Sequence, residues 1–158
     1  MVGVSKAGVT EVDRGWNDIK RRLLDAEGYS LEIGVFDTSP RIDTKLTNVE
    51  VAGAMEFGTD RIPARPFLST GLDEHADDLF QLALSLQWDV ATGVMSLDVA
   101  LNNLGHAAVQ AIRDTIDRGH PSWPPLSAVT IARKGSSRPL VDTKSMYNAI
   151  EYRVVANA

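Results

Sequence analysis

The sequence predicts an α+β fold in which a small antiparallel sheet packs against two long helices. Two segments, Leu31–Phe36 and Glu151–Val155, alternate apolar with polar or small residues, which is the period of a half-buried strand. Two longer segments, near residues 68–90 and 97–118, repeat apolar residues at intervals of three or four, which is typical of amphipathic helices. We therefore expect the two strands to pair and the two helices to cover them.

The first helix is expected to span about Glu11–Ala26 and to end before Gly28. Residues 1–10 precede it and are expected to be flexible. Spacings of four, three and four place four apolar residues on one stripe of this helix: Val12, Trp16, Ile19 and Leu23. After the first strand, Asp37–Pro40 supplies a turn. The polar segment Arg41–Thr47 is expected to form a mobile loop.

The second helix is expected to begin at Asn48, whose side-chain oxygen can accept a hydrogen bond from a free backbone amide, and to end near Gly58. The long helix near residues 68–90 follows, and Gly71 weakens its first turn. Its predicted apolar stripe consists of Leu68, Leu72, Ala76, Phe80, Ala83 and Leu84. Its more polar side carries Asp73, Asp77 and Asp78.

The next helix is expected to begin after Ser96, its predicted cap, and to stop at Gly119. The apolar stripe that indicates it consists of Leu97, Leu101, Leu104, Ala108, Ile112 and Ile116. Three shorter features are expected beyond it: a helical turn at Ser127–Arg133, a loop at Lys134–Pro139 and a helical turn at Met146–Ile150. Further strands could arise from Ile42–Thr47 or around Arg65.

Bulk composition predicts one globular domain over residues 1–158. A chain of 158 residues is long enough for one core and too short for two ordinary ones. Its hydrophobic fraction of 44% and charged fraction of 23% lie near globular averages. No apolar run approaches the roughly 20 residues that a bilayer span needs, and the first residues do not form a signal peptide. We expect assembly in the cytoplasm and no membrane contact.

The cysteine count and the net charge restrict the kinds of site that the chain can form. The chain has no cysteine, which removes disulfides, thiolate metal sites and thiol catalysis. Its net charge of −5 argues against electrostatic capture of nucleic acid, because such binding depends on clusters of Lys and Arg that displace counterions from phosphate.

A search for reactive groups predicts no catalytic, metal or cofactor site. The three histidines, His75, His106 and His120, lie far apart, and none has a ligand-type residue at the i+4 spacing that shares a helix face. Adjacent carboxylates such as Asp77 and Asp78 point about 100° apart on a helix, so they do not form a dyad. Ser136–Ser137 lacks the strand and flanking glycines of a nucleophile or phosphate loop.

Two proline-rich stretches indicate contact surfaces. In Arg61–Leu68 each proline fixes its own φ and extends the residue before it, so alternation places Arg61 and Arg65 on one side. Two interpretations of these arginines stay open: pairing within the chain, or contact with a carboxylate of a neighbouring subunit, which we favour. The intramolecular partners would be Glu56, Asp60 or Asp73. Phe67 opens the apolar stripe of the long helix, so for this residue we favour the core over an interface.

The second stretch, Pro121–Thr143, holds a basic cluster beside Trp123, which could stack on bases. The basic residues are Arg133, Lys134 and Arg138, with Arg113, Arg118 and Lys144 nearby. Acidic residues interleave with them, so we expect contact with another protein subunit here and not recognition of DNA. The complete predicted contact set is Arg61, Ile62, Arg65, Phe67, Trp123, Arg133, Arg138, Leu140 and Asp142.

Three runs in these stretches carry a family resemblance. They are MEFGT…IPARPFL, then PPLS…TIARKGSSRPLVDT, then NAIEYRV, in that order within residues 51–155. In these runs the chain resembles the neck or tail-completion proteins of long-tailed bacteriophages and prophages, which join head to tail. Members usually carry glycine after the Leu-Val-Asp-Thr tetrad, where this chain has Lys144 and Ser145.

The resemblance implies a non-enzymatic virion subunit at the head–tail junction, assembled in the host cytoplasm. Copies would close through head-to-tail contacts into a ring around the DNA channel, sixfold or else twelvefold. The ring's partners would be the head connector or head-closure protein and the tail terminator or tail tube proteins. DNA would pass through without sequence-specific binding, and an acidic lumen would let it slide.

Three alternatives stay open. A tail terminator or head-closure protein would occupy an adjacent ring. A small phage enzyme would need a pocket with converging titratable groups. A nucleic-acid binding module would have to overcome the negative charge of the chain.

Overall fold

A computed structural model describes residues 14–36, 38, 46–135, 140 and 144–157 of the chain. Within these ranges it contains seven helices and two strands. In chain order they are α1 (Trp16–Glu27), β1 (Tyr29–Val35), α2 (Asn48–Phe57), α3 (Phe67–Glu74), α4 (Ala76–Thr92), α5 (Leu97–Arg118), α6 (Ala128–Lys134), α7 (Ser145–Asn148) and β2 (Ile150–Ala156). None of the helices in the described ranges combines the length and apolarity that a bilayer crossing requires.

The two strands pair in antiparallel register, from Tyr29 opposite Ala156 to Val35 opposite Ile150. The predicted α+β fold is thereby confirmed, with strand boundaries within two residues of those expected. The sheet lies on α5, where the ring of Tyr152 covers Gly105 and its hydroxyl donates a 2.8 Å hydrogen bond to Asn102 Oδ1. No third strand occurs around Arg65, while residues 41–45 lie outside the described ranges.

Helix α5 is the centre of the fold and separates two groups of buried side chains. The larger group packs on its C-terminal half and consists of Ala52, Phe67, Val109, Ile112, Ile116, Trp123, Met146 and Ile150. The smaller group packs on its N-terminal half and consists of Leu86, Val90 and Ala100. Ser96 caps α5 as predicted, since its Oγ accepts a bond from the Val99 amide, and Gly119 follows its last residue.

The prediction of one continuous helix near residues 68–90 is wrong, because His75 interrupts it. His75 has φ −111° and ψ 13°, and its Nδ1 lies 2.9 Å from the carbonyl oxygen of Gly71. Helix α3 packs on the C-terminal half of α5, and α4 packs on the N-terminal half. In α4, Leu86 and Val90 face inward, and Phe80 and Leu84 of the predicted stripe do not. Residues at strict intervals of four drift by about 40° per step around a helix, so the predicted stripe turns away from the buried face.

The first helix also differs from its prediction. It begins at Trp16 in the described part of the chain, and Trp16, a member of the predicted apolar stripe, is exposed. No residue of α1 is buried. Helix α1 lies along α4, where Arg22 Nη1 donates a 3.1 Å hydrogen bond to the carbonyl oxygen of Ala91.

Helix α2 is capped by Thr47 and not by Asn48. Thr47 Oγ1 accepts a 3.1 Å bond from the Glu50 amide, and Glu50 Oε2 accepts a 2.8 Å bond from the Thr47 amide. The hydrogen bonds from the Thr47 backbone and side chain lower the pKa of Glu50 below its ordinary value. Asn48 is buried instead, and its Oδ1 accepts a 3.0 Å bond from Ser145 Oγ.

Candidate interaction surface

The two proline-rich stretches bind each other through Arg65. Its Nε donates a 2.9 Å hydrogen bond to the carbonyl oxygen of Pro124, and its Nη2 donates one of 3.2 Å to that of Pro125. Proline residues carry no backbone N–H, but their carbonyls remain acceptors, and the planar guanidinium fork matches two successive carbonyls. Arg65 is only 4% exposed, and this burial lowers the pKa of its guanidinium.

These bonds correct the interpretation that Arg65 pairs with a carboxylate within the chain. The guanidinium binds two backbone carbonyls and, among the described residues, forms no ion pair with Glu56, Asp60 or Asp73. Arg65 therefore acts as an internal brace between the two stretches. Contact of an arginine in this stretch with a carboxylate of a neighbouring subunit stays a prediction.

Glu56 does not pair with an arginine as predicted and instead binds the start of α3. Its carboxylate accepts bonds from the Leu68 amide at 2.9 Å, the Ser69 amide at 3.0 Å and Ser69 Oγ at 2.7 Å. The buried carboxylate of α2 thus satisfies free amides at the start of α3, where the positive end of the helix dipole favours a negative charge. The angle between α2 and α3 is held by this contact.

Two members of the predicted contact set are core residues. Phe67 is fully buried, in agreement with the alternative that placed it in the core, and Trp123 is 6% exposed. Both pack in the larger core group beside Ile112. Trp123 therefore presents no ring for stacking on bases. Its Nε1 is buried and has no hydrogen-bond partner within the described part of the chain.

Arg61 and Ile62 form an accessible turn. The Thr59 amide donates to the Ile62 carbonyl at 2.8 Å, and the Ile62 amide donates to Thr59 Oγ1 at 3.0 Å, so Thr59 holds the turn from both sides. Arg61 is exposed and Ile62 is half-buried. This part of the predicted contact set faces outward, as a contact surface requires.

A groove of about 310 Å³ separates this turn from helix α6. We call it the α6 groove; residues that line it include Met55, Arg61, Ile62, Leu126, Ser127 and Thr130. Arg65 and Pro125 also line it, so the internal brace keeps its two walls at a fixed separation. Ser127 begins α6 by accepting the Thr130 amide at 3.2 Å.

The structure describes only some of the remaining residues of the predicted contact set. Leu140 is half-buried against the larger core group and has a positive φ of 64°. The backbone of Arg133 belongs to α6. Arg138 and Asp142 lie outside the described residues.

The most exposed apolar surface on a long helix was missed by the sequence prediction. Phe80, Leu84 and Trp88 lie on α4 at intervals of four and are 59%, 44% and 70% exposed. We call these three residues the α4 ridge. Leu86 and Trp88 are two positions apart, about 200° around the helix axis, so Trp88 points away from the core that Leu86 enters. A signal was present, because apolar residues surround α4 on more than one stripe.

No group of three His, Asp or Glu side chains within the described ranges is arranged to hold a metal ion. Comparisons of the chain with protein-family models, with curated proteins and with solved structures gave no match.

Proposed function

We propose that this chain is a structural, non-enzymatic subunit of the head–tail junction of a long-tailed bacteriophage, and that its copies form a ring around the DNA channel. The observation that carries the proposal is the α4 ridge. Its three large apolar side chains are exposed at successive intervals of four on one helix, and aromatic residues are enriched where proteins associate. The three sequence runs that resemble neck and tail-completion proteins supply the class of assembly.

The internal brace supports a role in assembly. Arg65 and the carbonyls of Pro124 and Pro125 hold the Arg61–Ile62 turn and α6 on opposite walls of one groove. A surface fixed before association loses little conformational entropy on docking. The partners would be other copies of the chain, the head connector or head-closure protein, and the tail terminator or tail tube proteins.

The charge of the chain fits a channel through which DNA slides. At −5 the subunit repels phosphate, and each added copy raises the total negative charge of a ring. We expect acidic side chains to face the lumen. The number of copies proposed is six, with twelve as the alternative.

An antibody raised against the purified chain tests the location. On phage particles released from the source bacterium, gold-labelled antibody is expected at the head–tail junction, and the protein is expected in the mass spectrum of purified particles. Labelling of the tail tube end or of an adjacent neck ring would favour the tail terminator or head-closure alternative. Absence of the protein from particles would contradict the proposal.

A further inference from the structure

We propose that the α4 ridge of one copy docks into the α6 groove of the next copy. This head-to-tail contact rests on the proposed function, since it identifies the surfaces through which the ring would close. One surface is an aromatic ridge with acidic surroundings, and the other is a concave, apolar and basic groove.

The α4 ridge has the size and composition of a segment that inserts into a partner's pocket. Phe80, Leu84 and Trp88 extend over about 12 Å of helix, because each residue adds about 1.5 Å. Trp88 is the most exposed of the three. Tryptophan and other aromatic anchors that fill a pocket on a partner commonly dominate binding energy.

The charge around the ridge disfavours pairing of two α4 ridges with each other. Helix α4 itself contains three acidic residues, Asp77, Asp78 and Asp89, and no lysine or arginine; the nearest basic residues lie on α1, which packs along it. A symmetric contact would bring two such helices together, and like charges across an interface oppose binding. A concave surface with basic lining on the second copy therefore complements α4 better than a second α4 does.

The α6 groove meets this requirement. Arg61 stands at its rim, and Ile62 and Leu126 supply apolar lining. Two of its lining residues, Arg61 and Arg65, are basic, and no described lining residue is acidic. The volume of about 310 Å³ leaves room for a large aromatic side chain.

One copy cannot bring its own ridge and groove together. Leu86 and Val90 pack α4 against Ala100, so the ridge on the other side of α4 faces away from the core of its own copy. None of the three ridge residues is among the residues that line the groove. A contact between different surfaces of two copies generates a ring when its rotation closes.

Cross-linking of single cysteines tests the contact directly, because the chain has none of its own. We would prepare Leu84→Cys on the ridge and Thr130→Cys in the groove, mix the two proteins and add a short bis-maleimide. The expected product is a mixed dimer that joins positions 84 and 130, with little product from either variant alone. Ser30→Cys, on the exposed part of β1, is the control and should give no enriched product with either.

Association of the full chain, measured by analytical ultracentrifugation, gives a second readout. Trp88→Ala is expected to weaken self-association by about tenfold or more. Trp16→Ala makes the same change at an exposed tryptophan of α1 and is expected to leave association unchanged. Circular dichroism should show both variants folded, since both side chains are largely exposed.

Three results would overturn the proposed contact: joining of position 84 to position 84, no enriched 84–130 product, or unchanged association in Trp88→Ala. Rings that form without the 84–130 product would contradict this contact and leave the proposed function standing. A chain that does not self-associate overturns the contact, and absence of the protein from phage particles is the separate result that overturns the function.

Discussion

Helix α3 approaches α5 so closely at Gly71 that a β-carbon there would lie 2.7 Å from the Cα of Ile112. The neighbouring atom belongs to the backbone of the central helix, so it cannot move aside as the end of a flexible side chain could. Gly71 is therefore required for contact between two helices, although its position near the start of α3 suggested only a weak first turn.

Gly71→Ala is expected to lower the free energy of unfolding by about 1–3 kcal/mol, because overpacking at Ile112 outweighs the better helix propensity of alanine. Gly53→Ala in α2 is the matched control, since nothing lies within 4 Å of its added β-carbon. That variant should gain about 0.5–1 kcal/mol. Urea denaturation measures both, and equal effects would contradict the close approach.

Arg65→Ala is expected to destabilise the folded chain by about 2 kcal/mol or more, because it leaves the Pro124 and Pro125 carbonyls without their donors. Lysine at the same position should not restore stability, since one ammonium cannot reproduce the two-pronged geometry. The exposed Arg61 is the control, and Arg61→Ala should change the unfolding free energy by less than about 0.5 kcal/mol. Wild-type stability in Arg65→Ala would show that the brace contributes nothing.

Lys144→Gly is expected to raise stability by about 0.5–1 kcal/mol. Lys144 has φ 59°, a left-handed conformation that costs a residue with a β-carbon about 1–2 kcal/mol, partly offset by the entropy of glycine in the unfolded chain. This is the position where the resembling family usually has glycine. Lys144→Ala removes the charge but keeps the β-carbon, so it should show no such gain in thermal unfolding. A gain in both variants would assign the effect to charge.

Tyr147 is expected to ionise above the ordinary range of a tyrosine. Burial raises the pKa of its phenol most, and the 2.8 Å hydrogen bond that it donates to Asp117 Oδ2 raises that pKa further. Because the pKa is higher in the folded state, the stabilisation is complete below the unfolded value of about 10 and is lost as pH rises through the folded value.

Phenolate absorbance should therefore show a late-titrating component among the three tyrosines, and that component should disappear in Tyr147→Phe. Tyr29→Phe is the control and should retain it. Asp117→Asn should shift the component toward lower pH. The contrary result would be that Tyr147→Phe keeps the late-titrating component and loses only absorbance at lower pH. That result would show that the contact between Tyr147 and Asp117 is not formed in solution.

Local sequence patterns predicted the existence and type of nearly every helix and strand in the described part of the chain. Alternation over Leu31–Phe36 and Glu151–Val155 identified both strands, and the Ser96 cap and Gly119 located α5 within a residue. These features depend on residues that are neighbours in sequence and on the regular repeat of a helix or strand, and both can be read from the sequence. The N-cap of α2 was misassigned by one position because Thr47 forms a reciprocal bond with Glu50 that Asn48 does not.

Long-range contacts were beyond the reach of those patterns. The apolar stripe could not show that the helix would be interrupted at His75, or that Leu86 and Val90 would be buried in place of Phe80 and Leu84, because apolar residues lie on more than one side of α4. The sequence also could not show that Arg65, with acidic residues nearby in sequence, would bind proline carbonyls some sixty positions away. Periodicity reports which residues share a face of a helix. Which face is buried depends on what the rest of the folded chain brings against it.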